Sequence, residues 1–358
     1  MHHVSCKKIA ILLPSLKYGG GERVSLNLAR EMKRLGCEVN ILVMSKVGEF
    51  LAEAEKEFTV HDLKCNKTYE LPYLLWKYII SNRPDALISN FWKLNLCSCV
   101  SRIFFPFFKL ILWEHSPPSK SPFAPAWLFA ISASLLYRFS NKIVAVSNGV
   151  RDDVRSNTFF LNRKILTIYN PIEPPNENLV AFTSAPINSI PKIISVGRLS
   201  KEKNLELLLQ SFSILLKKTD ATLLIVGDGS LKGELEQLCV DLNIEHRVIF
   251  FGYSCNPYSL IINSDLLVLS SNLEGLPTAI VEALYCGLPV VSTDCPCGPR
   301  ELLMDGKFGS LVPMGDQFAL ANAMERELSG KRSPELQKIA AHRFLPETVA
   351  KQFLGLIA

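Results

Sequence analysis

Apolar positions along the chain fall into short runs separated by stretches where they recur every three or four residues, the signature of strands alternating with helices. Residues 9–13 read as a buried strand, Gly19-Gly20-Gly21 as a loop, 22–35 as an amphipathic helix and 39–43 as the next strand. Further strands are predicted at 86–88, 110–113, 143–146 and 165–168, with helical patterns between several of them. The character then changes. Asn170-Pro171-Ile172-Glu173-Pro174-Pro175 and the polar residues up to position 188 read as a linker, because dense proline blocks both regular elements.

A second run begins at Lys192, with strands at 193–196, 222–226, 248–250, 266–269 and 289–292 and helices at 204–217, 231–242 and 277–286. The fold class is therefore α/β, with two doubly wound Rossmann-like domains at 1–172 and 191–345 joined by a linker at 173–190. Such domains are expected to face across a cleft at the carboxyl ends of their strands, where ligands bind. A last helix at 346–356 has an apolar stripe suited to packing back, and residues 346–358 are assigned to the N-terminal domain.

A length of 358 residues agrees with two domains, and 48% apolar with 20% charged residues excludes collagen-like and disordered classes. The ten Cys are scattered, as reduced thiols of a cytosolic protein would be. Arg102, Lys109, Arg138 and Lys142 interrupt the greasiest stretches, so no run reaches the roughly 18 apolar residues of a membrane span. Residues 9–16 follow Lys7 and Lys8 but contain Pro14, which favours a first strand over a signal peptide. Residues 1–172 hold 23 Lys/Arg against 13 Asp/Glu, a net +10, whereas the remainder carries −5. The basic half suits an anionic ligand or membrane surface, and uneven solvated charge gives the same pattern.

The chemistry concentrates in the second half. Glu274 and Glu282 stand eight residues apart, with Pro277 placed as the first helical residue. Along a continuous helix that separation is about 12 Å, too far for the paired carboxylates of glycoside hydrolysis. Backbone N–H groups near Gly275, Leu276 and Thr278 at a helix start could hold a phosphate while the acids accept hydrogen bonds from sugar hydroxyls. Two surface acids around a strand-helix turn would look the same. Arg198 and Lys203 follow the strand at 193–196, where an Arg fork and a Lys point charge can neutralise a diphosphate, or simply be solvated. Gly227-Asp228-Gly229 reads as a structural turn.

These features come in a recognisable order between residues 192 and 313: Gly197-Arg198-Leu199 with Lys203-Asn204, Val226-Gly227-Asp228-Gly229, Phe251-Gly252-Tyr253, Ser264-Asp265 before Leu266-Leu267, the spaced glutamates, and Gly287-Leu288-Pro289-Val290-Val291. In that order they resemble the retaining glycosyltransferases of family 4, which use nucleotide-sugar donors and have the two-domain GT-B fold. The first half matches more loosely, through Gly19-Gly20-Gly21-Glu22-Arg23, Glu114-His115-Ser116 and Val146-Ser147-Asn148 leading to Asn170-Pro171-Ile172.

The resemblance implies that Arg198 and Lys203 bind the donor diphosphate, Glu282 the ribose, Glu274 with Gly275, Leu276 and Thr278 the transferred sugar, and the main chain at Phe251, Gly252 and Tyr253 the base. His115, Gly20 and Gly21 would close over the donor from the other domain, with His115, Glu274, Arg198 and Lys203 as the catalytic set. His115 also fits a packed structural histidine. Cys297 stands where related enzymes commonly have a small hydroxyl residue, which leaves the sugar open.

The expected activity is transfer of a hexose or N-acetylhexosamine from a nucleotide sugar, UDP-linked by resemblance, to a saccharide or lipid-linked saccharide in bacterial glycan synthesis. Charge and dipoles would stabilise the leaving diphosphate without a metal ion, since no Asp-x-Asp motif is set up to bind one. The expected site is the cytoplasmic face of the cell membrane, touched peripherally through residues 102–113 and 126–137, which core packing would explain equally, with no nucleic-acid partner. A sugar-phosphate synthase of the same superfamily and a non-catalytic nucleotide-sugar binder are the alternatives. A nicotinamide dehydrogenase fits poorly, because the three glycines are contiguous rather than spaced Gly-x-Gly-x-x-Gly.

Overall fold

A computed structural model describes residues 7–120, 125–159, 161, 163–175, 190–254, 256–330 and 341–358. The chain divides into two compact units: Met1–Glu173 with Phe344–Ala358, and Pro174–Arg343.

The first unit is a seven-stranded parallel sheet in the order β3-β2-β1-β4-β5-β6-β7. Its strands are β1 (Lys8–Leu13), β2 (Glu38–Val43), β3 (Thr59–Asp62), β4 (Ala86–Asn90), β5 (Lys109–Glu114), β6 (Lys142–Ala145) and β7 (Ile165–Thr167). Ile9, Ile11, Leu12, Leu110, Ile111 and Leu112 are fully buried, as required of strands covered on both faces by helices. Those helices are α1 (Gly20–Arg34), α2 (Leu51–Glu57), α3 (Leu71–Asn82), α4 (Trp92–Phe104), α5 (Ala126–Leu136) and α6 (Asn148–Ser156).

Two sequence expectations change here. Gly20 and Gly21 are not loop: α1 starts at Gly20, with Gly19 extended before it and its carbonyl accepting from Arg23 N at 3.1 Å. The edge strand β3 carries the polar run Thr-Val-His-Asp with no fully buried residue, so it gave no apolar signal.

The second unit has six parallel strands in the order β10-β9-β8-β11-β12-β13. They are β8 (Lys192–Val196), β9 (Thr222–Val226), β10 (Val248–Gly252), β11 (Leu266–Leu269), β12 (Val290–Thr293) and β13 (Ser310–Val312). Between and after them lie α7 (Leu205–Leu215), α8 (Lys232–Asp241), α9 (Tyr258–Ile262), α10 (Thr278–Tyr285), α11 (Pro299–Leu302) and α12 (Gln317–Ser329). Leu208, Phe212, Leu223, Leu266, Val268 and Met324 join sheet and helices in one core. Pro277 is not the first helical residue. Its ψ of 103° is extended, which places it at the N-cap with Thr278 opening the helix.

The last helix, α13 (Pro346–Ile357), belongs to the first unit. Glu347 meets Arg34 of α1 at 3.1 Å, and the buried Phe353 ring packs on Trp113 with centroids 4.9 Å apart. Residues 173–175 have no regular structure, and the rest of the linker expected at 173–190 lies, up to 189, outside the described residues. Each strand order reverses direction once, between β1 and β4 and between β8 and β11, and ligands of open α/β sheets bind at such points.

Candidate active site

In the second unit, the loops after β8 and β11 meet at that switch point. Asn204, at φ +46°, ends the basic loop and caps α7, its side chain accepting from Leu207 N at 3.4 Å. The turn aims Lys203 across to the loop after β11, where its Nζ lies 2.6 Å from Glu274 Oε1. Ser271 Oγ donates to the same oxygen at 2.6 Å. Glu274 is 8% exposed, and the ion pair and hydroxyl bond supply the partners that a buried carboxylate needs. Arg198 is exposed and lines the same cavity as Lys203, Gly197, Ser270 and Ser271.

Two further contacts fix this loop pair: Asn272 N donates to Glu202 O at 2.8 Å and Ser270 Oγ to Lys203 O at 3.0 Å. Gly275 and Leu276 are buried, Thr278 starts α10, and no side chain caps that helix end, so its first N–H groups stay open to an acceptor. Glu282 is buried inside α10, at 3% exposure. Gly298, at φ +92°, packs on this turn so tightly that a Cβ would lie 2.5 Å from Pro277 Cδ. The preceding thiols Cys295 and Cys297 are buried, and burial pushes Cys295 up to about 12.

The loops after β9 and β10 complete this end of the sheet. Gly197 N donates to Val226 O at 2.9 Å, Leu199 N to Asp228 O at 3.0 Å, and Gly227 N to Gly252 O at 2.8 Å. A Cβ on Gly227, whose φ is +147°, would sit 1.9 Å from Gly197 O. The strand register shifts between Phe250 and Gly252, which leaves Phe251 and Tyr253 exposed on either side of Gly252.

The first unit gathers a second group at the β1/β4 switch point. His115 follows β5, its Nε2 2.7 Å from Oδ1 of Asn90 at the end of β4. Its ring lies between Phe91 and Trp113, with centroids 5.0 and 4.6 Å away. Nδ1 is buried without a partner, and burial pushes the imidazole down to about 3, so the ring is neutral. Gly21 is small because this ring cluster abuts it: a Cβ would lie 2.6 Å from Phe91 Cζ and 3.7 Å from His115 Cγ. A Cβ on Gly20 would meet nothing within 4 Å. Phe91 itself holds φ +65°, a costly backbone for a ring-bearing residue.

Asn90, Phe91 and Ser271 are site residues to which sequence reasoning gave no role, and so is the buried Glu114, named there only as part of a matching segment. Glu114 is 2% exposed, takes hydrogen bonds from Asn95 Nδ2 at 2.8 Å and from the Tyr137 hydroxyl, and is pushed up to about 7 by burial. Only Glu114 had a signal, an acid at the end of an apolar run. The structure thus brings Arg198, Lys203, Glu274, Gly275, Leu276 and Thr278 together in one unit, and His115 with Gly21 in the other.

The model of the glycosyl transferases group 1 matches residues 183–343, and that of glycosyltransferase family 4 matches residues 18–175. The chain is 31% identical to N-acetylgalactosamine-N,N'-diacetylbacillosaminyl-diphospho-undecaprenol 4-alpha-N-acetylgalactosaminyltransferase of Campylobacter jejuni, over 97% of this chain and 96% of that protein. It is 28% identical to the lipopolysaccharide 1,6-galactosyltransferase of Escherichia coli over 55% of each. Among solved structures, Anabaena HepE in complex with UDP superposes with a TM-score of 0.80 at 22% identity, covering 97% of this chain and 98% of that one.

Proposed function

From the premise that this chain belongs to the family 4 glycosyltransferases, and is itself a glycosyltransferase of GT-B fold, we propose that it moves a sugar from a nucleotide diphosphate to a lipid-linked saccharide with retention at the anomeric carbon. The observation that carries the donor half is the cation pair at the β8/β11 switch point, Arg198 exposed and Lys203 held by the buried Glu274. Breaking the bond between sugar and diphosphate puts negative charge on the leaving oxygen. Arg198, Lys203 and the uncapped start of α10 supply preorganised positive charge for it, with no step assigned to a metal. Glu274 spends Oε1 on Lys203 and Ser271, which leaves Oε2 for a sugar hydroxyl. Glu282 in α10 is given the ribose, and the main chain at Phe251, Gly252 and Tyr253 the base. UDP is the carrier we favour, because HepE, which shares this fold, was solved in complex with UDP.

The acceptor half is supported by the relative from Campylobacter, whose name specifies a diphospho-undecaprenol saccharide. It is also supported by one surface of the first unit. No described helix is long and apolar enough to cross a membrane. Helix α5 nevertheless contains no charge and leaves Trp127 63%, Ile131 54% and Leu135 57% exposed. Between residues 86 and 151 the chain has seven Lys/Arg and one acid, the buried Glu114. An apolar face within a segment this rich in cations suits a leaflet of anionic lipid.

A screen of nucleotide sugars by thermal shift and mass spectrometry should single out one donor, and proton NMR of the product should give the donor's own anomeric configuration. Arg198→Ala and Lys203→Ala should each lower turnover by at least about 100-fold, the scale of one lost charge-stabilising donor. Normal transfer in both variants, or an inverted product, would overturn the reading. Flotation with anionic liposomes at low salt tests the surface: Ile131→Glu should abolish it, and failure of the unaltered protein to float removes the membrane.

A further inference from the structure

We infer that Asn90 is a positioning residue that holds His115 in a single neutral tautomer, with the hydrogen on Nε2 and the lone pair on Nδ1. A backbone carbonyl decides the matter. Asn90 is fully buried, and its Nδ2 donates to Leu12 O at 2.9 Å. A carbonyl oxygen can only accept, so the amide nitrogen must face Leu12 and Oδ1 must face the other way. Oδ1 is the atom 2.7 Å from His115 Nε2. An amide oxygen has no hydrogen to give, so Nε2 carries it. Ser25 pins the assembly, its Oγ donating to Gly21 O at 2.7 Å while lying 3.2 Å from the same Oδ1.

Nδ1 is then an acceptor, and it is buried and unpartnered. The charged groups nearest His115 along the packed elements are Glu114 beside it on β5, Glu22 and Arg23 in the first turn of α1, and Lys93 in the first turn of α4, and none of them contributes to its shift. Glu114 is turned to Asn95 and Tyr137. With burial alone depressing its pKa, His115 has no proton to give near neutral pH and no free N–H for a phosphate oxygen. A ligand group that uses this ring's free nitrogen must be a donor, as a hydroxyl is. The bearing of this on catalysis rests on the reading above, whereas the tautomer itself does not.

Long-range proton–nitrogen NMR of the full chain labelled with nitrogen-15 histidine, with His115→Gln assigning the signals, tests it directly. The expected result is an unprotonated Nδ1 and protonated Nε2, unchanged across about pH 5 to 8, the window in which an ordinary histidine titrates. A protonated Nδ1, or a titration in that window, would overturn it. In Asn90→Asp the new carboxylate should raise the His115 pKa by about 1 to 3 pH units. In Asn90→Ser, whose hydroxyl can donate as well as accept and so no longer dictates which nitrogen carries the hydrogen, the single-tautomer signature should be lost. An unchanged spectrum in whichever variants fold overturns the role of Asn90. In transfer assays, Asn90→Asp should depress kcat at low pH and regain it as His115 deprotonates, with KM little changed. Equal loss at every pH would make Asn90 merely structural.

Discussion

Glu114 and His115 are neighbours whose burial acts on stability with opposite sign. Burial raises Glu114 to about 7, so the folded chain keeps a proton that the unfolded chain loses above 4.5; its contribution is complete at low pH and declines as pH rises through that window. Burial lowers His115 to about 3, so the unfolded chain binds a proton near 6.5 that the folded chain refuses; stability rises with pH up to that value. Between 4.5 and 6.5 the two slopes oppose each other. Glu114→Gln should therefore leave stability climbing with pH across this interval, by roughly 2 to 3 kcal/mol, whereas His115→Gln should leave it falling. Urea titrations of both variants and the parent at several pH values check the signs. Parallel profiles would mean that neither group is buried as described. Neither sign could be read from the chain: Glu114-His115-Ser116 follows a visible strand, but the partners Asn90, Asn95 and Tyr137 come from three other elements.

At the scale of elements, the strands of both sheets were legible because parallel strands buried on both faces must be continuous apolar runs. The exceptions have a common cause. Strand β3 and strand β13 each sit at a sheet edge and carry few apolar residues, Val60 alone in β3 and Leu311 and Val312 in β13, so neither produces an apolar run. The glycine turns were legible as turns, though not for what they touch. Gly227 brings its loop onto Gly197, and Gly21 lies inside a helix against an aromatic ring. Gly227→Ala should cost about 1 to 3 kcal/mol for the backbone conformation alone, and more for the overlap with Gly197 O. Because Gly197 leads directly into Arg198, the same substitution should weaken nucleotide binding. Isothermal titration beside thermal melting separates these effects: destabilisation with undiminished affinity would show that the two loops are not coupled. The Lys203–Glu274 pair was half legible. Sequence reading gave the two residues separate duties on a ligand, and the structure joins them before any ligand arrives.

On the scale of the whole molecule, the chain leaves the first unit at Glu173, builds the second, and returns at Phe344. The first unit is therefore assembled from both ends of the sequence. Ile172 N donates to Phe344 O at 2.9 Å, and Tyr169 packs edge-on to Phe344, so departure and return are fastened side by side. Phe353, fully buried, lies against Trp113, whose own ring stacks on His115. Removing that side chain should cost the first unit about 3 to 5 kcal/mol, the usual price of emptying a large aromatic site. The second unit has its own core and shares none of these contacts. Calorimetry of Phe353→Ala should accordingly show one transition lowered and the other held. Added UDP, which this reading assigns to the second unit, should raise only the transition that the substitution left alone, by about 2.7 kcal/mol at a hundred times its dissociation constant. If UDP instead raised the transition lowered in Phe353→Ala, the nucleotide would belong to the unit built around His115, and the roles given to Arg198, Lys203 and Glu274 would have to be abandoned.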